Sequence, residues 1–200
     1  MTQVASGFER RPMDIYETPP WPVDALAEVI PLRGRIIWEP ACGPGKMVRA
    51  LQAKGAHVIG TDIVDYGSTD QAGLFDFTSD APVPDQCRRI HAIVTNPPYG
   101  ARNKTAEVFI ERGLGRLPNG GFMALLLPAD FDHAKTRAHL FGDCPHFAGK
   151  ITLRKRIQWF DPPPGEKGVG GTQWHAFFVW RRDALGQAMP PRIWYAPRAA

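Results

Sequence analysis

Cysteine is scarce: Cys42, Cys87 and Cys144 are the three in the chain, spaced too widely for a CxxC zinc site or a disulfide framework. No apolar run approaches the ~18 residues of a membrane helix. The first residues, up to Arg10 and Arg11, contain no apolar h-region and no cleavage-like segment. The expectation is a reduced, cytoplasmic protein with no membrane partner. Charge of one sign is short as well: 24 Lys plus Arg against 20 Asp plus Glu leave +4, a balance that permits nucleic-acid binding without pointing to it. His57, His91, His133, His139, His146 and His175 show no ligand spacing, so no metal is expected. Wholesale disorder is excluded by a 44% hydrophobic content.

What the chain has in quantity is glycine and proline, 20 of each, clustered so that they punctuate short elements. Its 200 residues suit one domain over 1–200. Val23, Leu26, Ala27 and Ile30, after Pro22 and before Pro31, predict an amphipathic helix. Arg35 to Glu39 reads as a strand, Pro40 to Gly45 as a glycine turn, Lys46 to Lys54 as a helix, and Gly55 to Asp62 as a strand ending at an acid. Ile90 to Thr95 is the next strand, closed by Asn96-Pro97-Pro98-Tyr99-Gly100, and a helix begins near Lys104 with Ala106, Phe109, Ile110, Gly113 and Leu117 on one face. Phe122 to Leu127 predicts a central strand buried on both faces. His133 to Phe141 reads as a weak helix, and strands around Lys150 to Arg154 and Gln173 to Trp180 close the pattern as a final pair. Alternating strands and helices predict a doubly wound α/β sheet whose sites gather at the carboxyl ends of its strands.

The unusual turns fall at those ends. Gly43 and Gly45 remove side chains where a backbone must approach a ligand, and Asp62 suits a ribose diol. Met47 and Val48 occupy the region of a third glycine, and Lys46 is followed by Met47 instead of Ser or Thr, which disfavours dinucleotides and nucleoside triphosphates. Asn96-Pro97-Pro98-Tyr99 is the more specific signal. Its prolines remove two amide donors and fix the backbone, leaving carbonyls free to accept. With the Asn96 side-chain oxygen and the Tyr99 ring, this corner suits a planar group bearing an NH2.

On these residues the sequence resembles the S-adenosylmethionine-dependent methyltransferases that modify amino groups, and among them the adenine-N6 enzymes. Glu39-Pro40-Ala41-Cys42-Gly43-Pro44-Gly45 is similar to that family's cofactor turn, Asp62 with Ile63 to its ribose-binding acid, Asp76-Phe77 to its adenine-side motif, and Asn96-Pro97-Pro98-Tyr99 to its catalytic motif. Tyr16, Thr18 and Pro19, within Tyr16-Glu17-Thr18-Pro19-Pro20-Trp21, look like the segment that closes over the cofactor's methionine end. Phe160, after Arg156-Ile157-Gln158-Trp159, sits where the family often has an aromatic against the target base. The resemblance implies a Rossmann-like class I methyltransferase sheet, mostly parallel with an antiparallel C-terminal strand and helices on both faces. It implies S-adenosyl-L-methionine as cofactor, Asn96, Pro97, Pro98 and Tyr99 as the catalytic set, and methyl transfer to adenine N6 in nucleic acid, DNA ahead of RNA. A base in a duplex has to flip to reach such a corner.

Arg102 and Lys104 stand at the following helix start, placed for a phosphate beside the flipped base. Residues 1–31 read as a cofactor-closing segment and helix. The stretch from Asp161 to Gly171 reads as a mobile gate whose Lys167 reaches a phosphate. Arg154-Lys155-Arg156 reads either as a solvated strand face or as the wall of a basic groove. No stretch is left for a separate target-recognition domain. Two alternatives stay open: methylation of a protein glutamine amide, which related enzymes perform at the same Asn-Pro-Pro-Tyr corner, and a non-catalytic cofactor-binding subunit.

Overall fold

The computed structural model describes residues 16–159, 171–183 and 190–197. Pro20–Val29 forms α1, starting three residues ahead of the expected Val23, because Pro20 and Pro22 fall in the first turn, where backbone N–H groups have no intrahelical partner. Ile36–Glu39 is β1, Lys46–Ala53 is α2, and His57–Asp62 is β2. Gln71–Leu74 then adds β3, a strand not expected from the sequence. Ala92–Thr95 is β4, Lys104–Arg116 is α3, and Phe122–Pro128 is β5, every residue of which is buried. The expected helix from His133 is a 3-10 segment over Lys135–Leu140. Phe147–Leu153 is β6, His175–Arg181 is β7, and Arg192–Ala196 is β8, so three strands and not two close the chain.

The strands form one eight-stranded sheet in the order β3-β2-β1-β4-β5-β7-β6-β8. Neighbours from β3 to β5 pair in parallel, and β6 and β8 do too, while β7 is antiparallel to both β5 and β6. The carboxyl ends of β1, β2, β4, β5 and β6 therefore share one edge.

Period-two alternation divides the core between the sheet's faces. Ile37, Val94, Ala124, Leu126, Phe177 and Val179 pack with Val23 and Leu26 of α1 and Met47 and Leu51 of α2. Trp38, Ile93, Met123, Leu125, Phe178 and Trp180 pack on the other face with Phe109 and Ile110 of α3. Helices thus cover both faces, as expected. The two large indoles meet their single polar requirement inside this core. Trp38 Nε1 donates to Thr61 Oγ1 at 2.9 Å, and Trp180 Nε1 donates to the Leu140 carbonyl at 2.7 Å. Among the described residues, no helix is long and apolar enough to cross a membrane.

Candidate active site

The strand order reverses between β1 and β4, and a doubly wound sheet opens its crevice at such a switch point. Two strand-terminal residues face each other across it. Glu39 ends β1 with 1% exposure, and its Oε1 accepts from the Thr95 hydroxyl at 2.5 Å and from the Ala41 N–H at 3.1 Å. Its other oxygen, Oε2, is buried with no hydrogen-bond partner. Burial, partly offset by those hydrogen bonds, pushes the carboxyl pKa from 4.5 up to about 8.

The glycine turn follows directly. Gly43 has φ +51°, and a Cβ there would meet nothing within 4 Å, so its bare backbone borders open space. Gly45, at φ +95°, is different: a Cβ would lie 2.5 Å from Asp70 Cβ. Asp70 in turn pairs with Arg49 of α2. Cys42 is buried between these groups, and burial, reinforced by Glu39 and Asp62, raises its thiol pKa to about 12. Asp62 reaches the turn from the end of β2. Its Oδ2 accepts from the Gly43 N–H at 2.9 Å and its Oδ1 from the Val64 N–H at 3.1 Å. Ile63 beside it leaves 66% of its surface in solvent.

The Asp76-Phe77 motif splits between the turn and the core. Asp76 Oδ1 accepts from the Thr78 N–H at 2.8 Å and the Thr78 hydroxyl at 2.6 Å, hydrogen bonds that lower its pKa. The Phe77 ring is buried against Trp38 and Phe109, with centroids 5.0 and 4.9 Å away.

At the end of β4, Asn96-Pro97-Pro98-Tyr99 forms the acceptor corner. Among the described residues, no group donates to the carbonyl of Asn96 or Pro97. The Tyr99 hydroxyl lies 3.3 Å from Asn96 Oδ1 and 3.2 Å from the Leu126 carbonyl of β5, two acceptors for one phenolic proton. Burial drives the Tyr99 pKa well above its ordinary value, which keeps the phenol neutral. Asn96 Nδ2 donates to the Tyr16 carbonyl at 3.3 Å, so the segment carrying Tyr16, Thr18 and Pro19 is tied to the corner. Thr18 is buried, and Pro19 is the N-cap of α1.

Sequence reasoning missed the aromatic wall around this corner. The Tyr99 ring stacks on His175 at 6.5 Å, His175 meets Trp159 edge-on at 5.1 Å, and Trp159 meets Tyr16 at 5.7 Å. His175 is 2% exposed with Nδ1 unpartnered. Burial lowers its pKa from 6.5 to about 4, so the imidazole is neutral at physiological pH. These residues lie on four separate stretches of chain, and the sequence offers no local signal that joins them.

The substrate-side residues are placed unevenly. Arg102 is exposed and held at φ +51°, followed by Asn103 at φ +63°. The Arg102 carbonyl accepts from Arg137 Nη2 at 3.3 Å. Lys104 is committed to an ion pair with Glu107 at 2.7 Å, and Glu107 also binds Arg137 at 2.8 Å. Phe160, Lys167 and the expected gate lie outside the described residues, apart from Gly171. Among the described residues, no cluster of His, Cys, Asp and Glu could hold a metal ion.

Taken chemically, the edge offers a bare backbone beside open space, a buried carboxyl with an orphan oxygen, a second acid on the turn, and a neutral corner of acceptors. A cationic small molecule and a planar amine fit these features side by side.

No protein-family model matches the chain, and no curated protein sequence matches it either. Solved structures do. A Listeria monocytogenes protein assigned to the class I S-adenosylmethionine-dependent methyltransferases superposes with a TM-score of 0.61 at 15% identity, over 88% of this chain and 62% of that one. A modification subunit assigned to a type I restriction enzyme from Vibrio vulnificus gives 0.59 at 15% identity, over 90% of this chain and 46% of that one. The Thermus thermophilus 16S rRNA N2 G1207 methyltransferase, solved in complex with AdoMet and guanosine, gives 0.51 at 20% identity, over 80% of this chain and 42% of that one. The chain therefore spans less than two thirds of the length of each. The shared architecture is the Rossmann-like fold of the class I methyltransferases.

Proposed function

We propose that the chain is an S-adenosylmethionine-dependent methyltransferase acting on the exocyclic N6 amine of adenine in nucleic acid, with DNA as the polymer. The observation that carries this reading is the Asn96-Pro97-Pro98-Tyr99 corner at the switch point beside the glycine turn, where the carbonyls of Asn96 and Pro97 have no donor among the described residues. The cofactor fit rests on the open space at Gly43 and the orphaned Glu39 Oε2. Gly43, Asp62 and Glu39 would hold it, with Ala41, Cys42 and Gly45 shaping the turn, Ile63 and Asp76 on the adenine side, and the Tyr16 to Pro19 segment closing the methionine end. When bound, the cofactor supplies a methyl group on a positively charged sulfonium.

The residues of the corner address the acceptor. An exocyclic amine is a poor nucleophile because its lone pair is delocalised into the ring. Asn96 Oδ1 and the Pro97 carbonyl accept the two N–H groups and so localise the lone pair and aim it. Tyr99, fixed against His175, supplies a flat surface that replaces base stacking lost on flipping. The amine's surplus proton leaves to solvent, since no basic side chain is needed once the nitrogen has become cationic. Arg102, at the strained turn after the corner, is the phosphate contact of this reading. Lys104 serves only by exchanging its bond to Glu107.

The test is transfer of a tritiated methyl group from S-adenosylmethionine to DNA, RNA and a protein extract side by side. Label on N6-methyladenine in DNA is the expected outcome. Label on RNA or on glutamine amides moves the chain to another substrate class, and no label on any of them removes the enzymatic reading.

A further inference from the structure

The end of β6 carries a basic surface that the site described above does not use. Arg154, Lys155 and Arg156 follow Leu153 at the same sheet edge as Asn96, and all three are exposed. Among the described residues none of them forms an ion pair with an acid. Two instead lie over indoles. The Arg156 guanidinium sits 4.8 Å from the centroid of Trp174, and the Lys155 ammonium 5.7 Å from that of Trp21. Trp174 remains 46% exposed, unusual for so large an apolar ring.

This surface is anchored and continuous with the site. Ile157, the residue after Arg156, is fully buried. The backbone of Gly171 presses so closely on it that a Cβ would lie 2.2 Å from the Ile157 carbonyl. Trp174 immediately precedes His175, which stacks on Tyr99, and its carbonyl accepts from the Ala129 N–H at 2.9 Å, just past β5. Contacts thus run from Asn96 and Tyr99 through His175 to Trp174 with Arg156, and on to Lys155 with Trp21.

We infer that Arg154, Lys155, Arg156 and Trp174 form a track for single-stranded DNA flanking the target adenine, with Trp174 stacking a neighbouring unpaired base and the cations meeting its phosphates. The inference rests on the nucleic-acid reading of the site. Exposed cations without acidic partners, interleaved with an exposed indole, match the charge and the flat faces of an unstacked strand. A duplex keeps its bases stacked and offers Trp174 nothing to bind.

Fluorescence anisotropy of a short labelled single-stranded DNA, against the duplex of the same sequence and an acidic peptide, tests this. The parent chain should bind the single strand more tightly than the duplex and ignore the peptide. Trp174→Ala should weaken single-strand binding about tenfold and leave duplex binding almost unchanged, with Trp174→Phe restoring most of the loss. Joint replacement of Arg154, Lys155 and Arg156 by Ala should flatten the plot of log affinity against log salt by about 2, near 0.7 per phosphate contact. Cofactor affinity by calorimetry, unchanged in each variant, verifies folding and keeps the two readings apart. A parent that methylates and binds DNA while the variants bind single strands as tightly as it does overturns the track alone. A parent that binds the acidic peptide as well as the DNA, or binds no DNA, overturns the track and removes support from the nucleic-acid reading.

Discussion

Thr95, the last residue of β4, donates its hydroxyl to Glu39, the last residue of β1, at 2.5 Å. This contact adds a side-chain link to the parallel backbone pairing of β1 with β4 at the switch point and leaves Glu39 Oε2 without a partner. A buried carboxyl in that position resists ionisation until a cation arrives, which makes it sensitive to pH in a way that can be measured.

The folded-state pKa of Glu39 is about 8, above its ordinary value of 4.5. The fold thus favours the protonated form. Its contribution to stability is complete below about pH 4.5 and is lost as pH rises through about 8. Melting temperatures of the cofactor-free protein should therefore fall across that window, and Glu39→Gln should flatten the fall while weakening cofactor binding. Parallel melting curves for parent and variant would show that Glu39 does not titrate there.

His175 works in the opposite direction. Its pKa is depressed from 6.5 to about 4, so the stability it contributes is present above about pH 6.5 and lost as pH falls through about 4. His175→Gln, which does not titrate, should be less stable near neutrality yet lose less on acidification through that range. Acid unfolding followed by circular dichroism reads the slope; equal slopes would count against a buried neutral imidazole.

The placement of much of the candidate site was legible in the sequence because its signals are local. The glycine turn, the acid ending β2 and the Asn-Pro-Pro-Tyr corner each occupy a few consecutive residues, and the fold needed only to bring three strand ends to one edge. β3 was missed because Gln71-Ala72-Gly73-Leu74 has neither alternation nor β-branched residues and pairs only with β2. β8 carries Ile193, Trp194 and Tyr195, good strand residues, but Pro190 and Pro191 precede it and disguise it as loop. The wall of Tyr16, Trp159 and His175 is a tertiary product of separate segments, and no local pattern encodes it.

The Asn96 side chain is tied to both Tyr16 and Tyr99, yet its oxygen has room to exchange partners, because the Tyr99 proton has the Leu126 carbonyl as a second acceptor. Asn96→Ala should lower methyl transfer about a hundredfold or more while cofactor affinity holds, since in the proposed function this oxygen addresses the acceptor amine. Tyr99→Phe should be mild, and Tyr99→Ala intermediate. Near-normal turnover in Asn96→Ala, on whichever polymer accepts the methyl group, would refute the assigned role.

Asp62 holds two backbone N–H groups in the cofactor-free turn, at Gly43 and Val64. Asp62→Ala removes a charge-assisted acceptor worth on the order of 1.5–3 kcal/mol, so calorimetry should show cofactor affinity reduced at least tenfold. Asp62→Asn keeps an acceptor for one N–H and should lie between. Unchanged affinity in a folded Asp62→Ala protein would remove this residue from the ribose site.

The two glycines of the turn separate ligand space from protein space. A methyl at Gly43 meets no protein atom within 4 Å, so Gly43→Ala costs the fold only the strain of φ +51°, about 1–2 kcal/mol. The same methyl points into the space assigned to the cofactor. At Gly45 the added Cβ would strike Asp70, which pairs with Arg49, so Gly45→Ala disturbs the anchoring of α2 to the loop before β3. Gly43→Ala should thus lose only a few degrees of melting temperature, the cost of its backbone strain, but bind S-adenosylmethionine poorly, whereas Gly45→Ala adds the clash with Asp70 to its own strain and should lose distinctly more. Thermal melts with and without cofactor distinguish the pair: stabilisation by cofactor should vanish in Gly43→Ala. Full stabilisation in that variant would place the cofactor away from this turn.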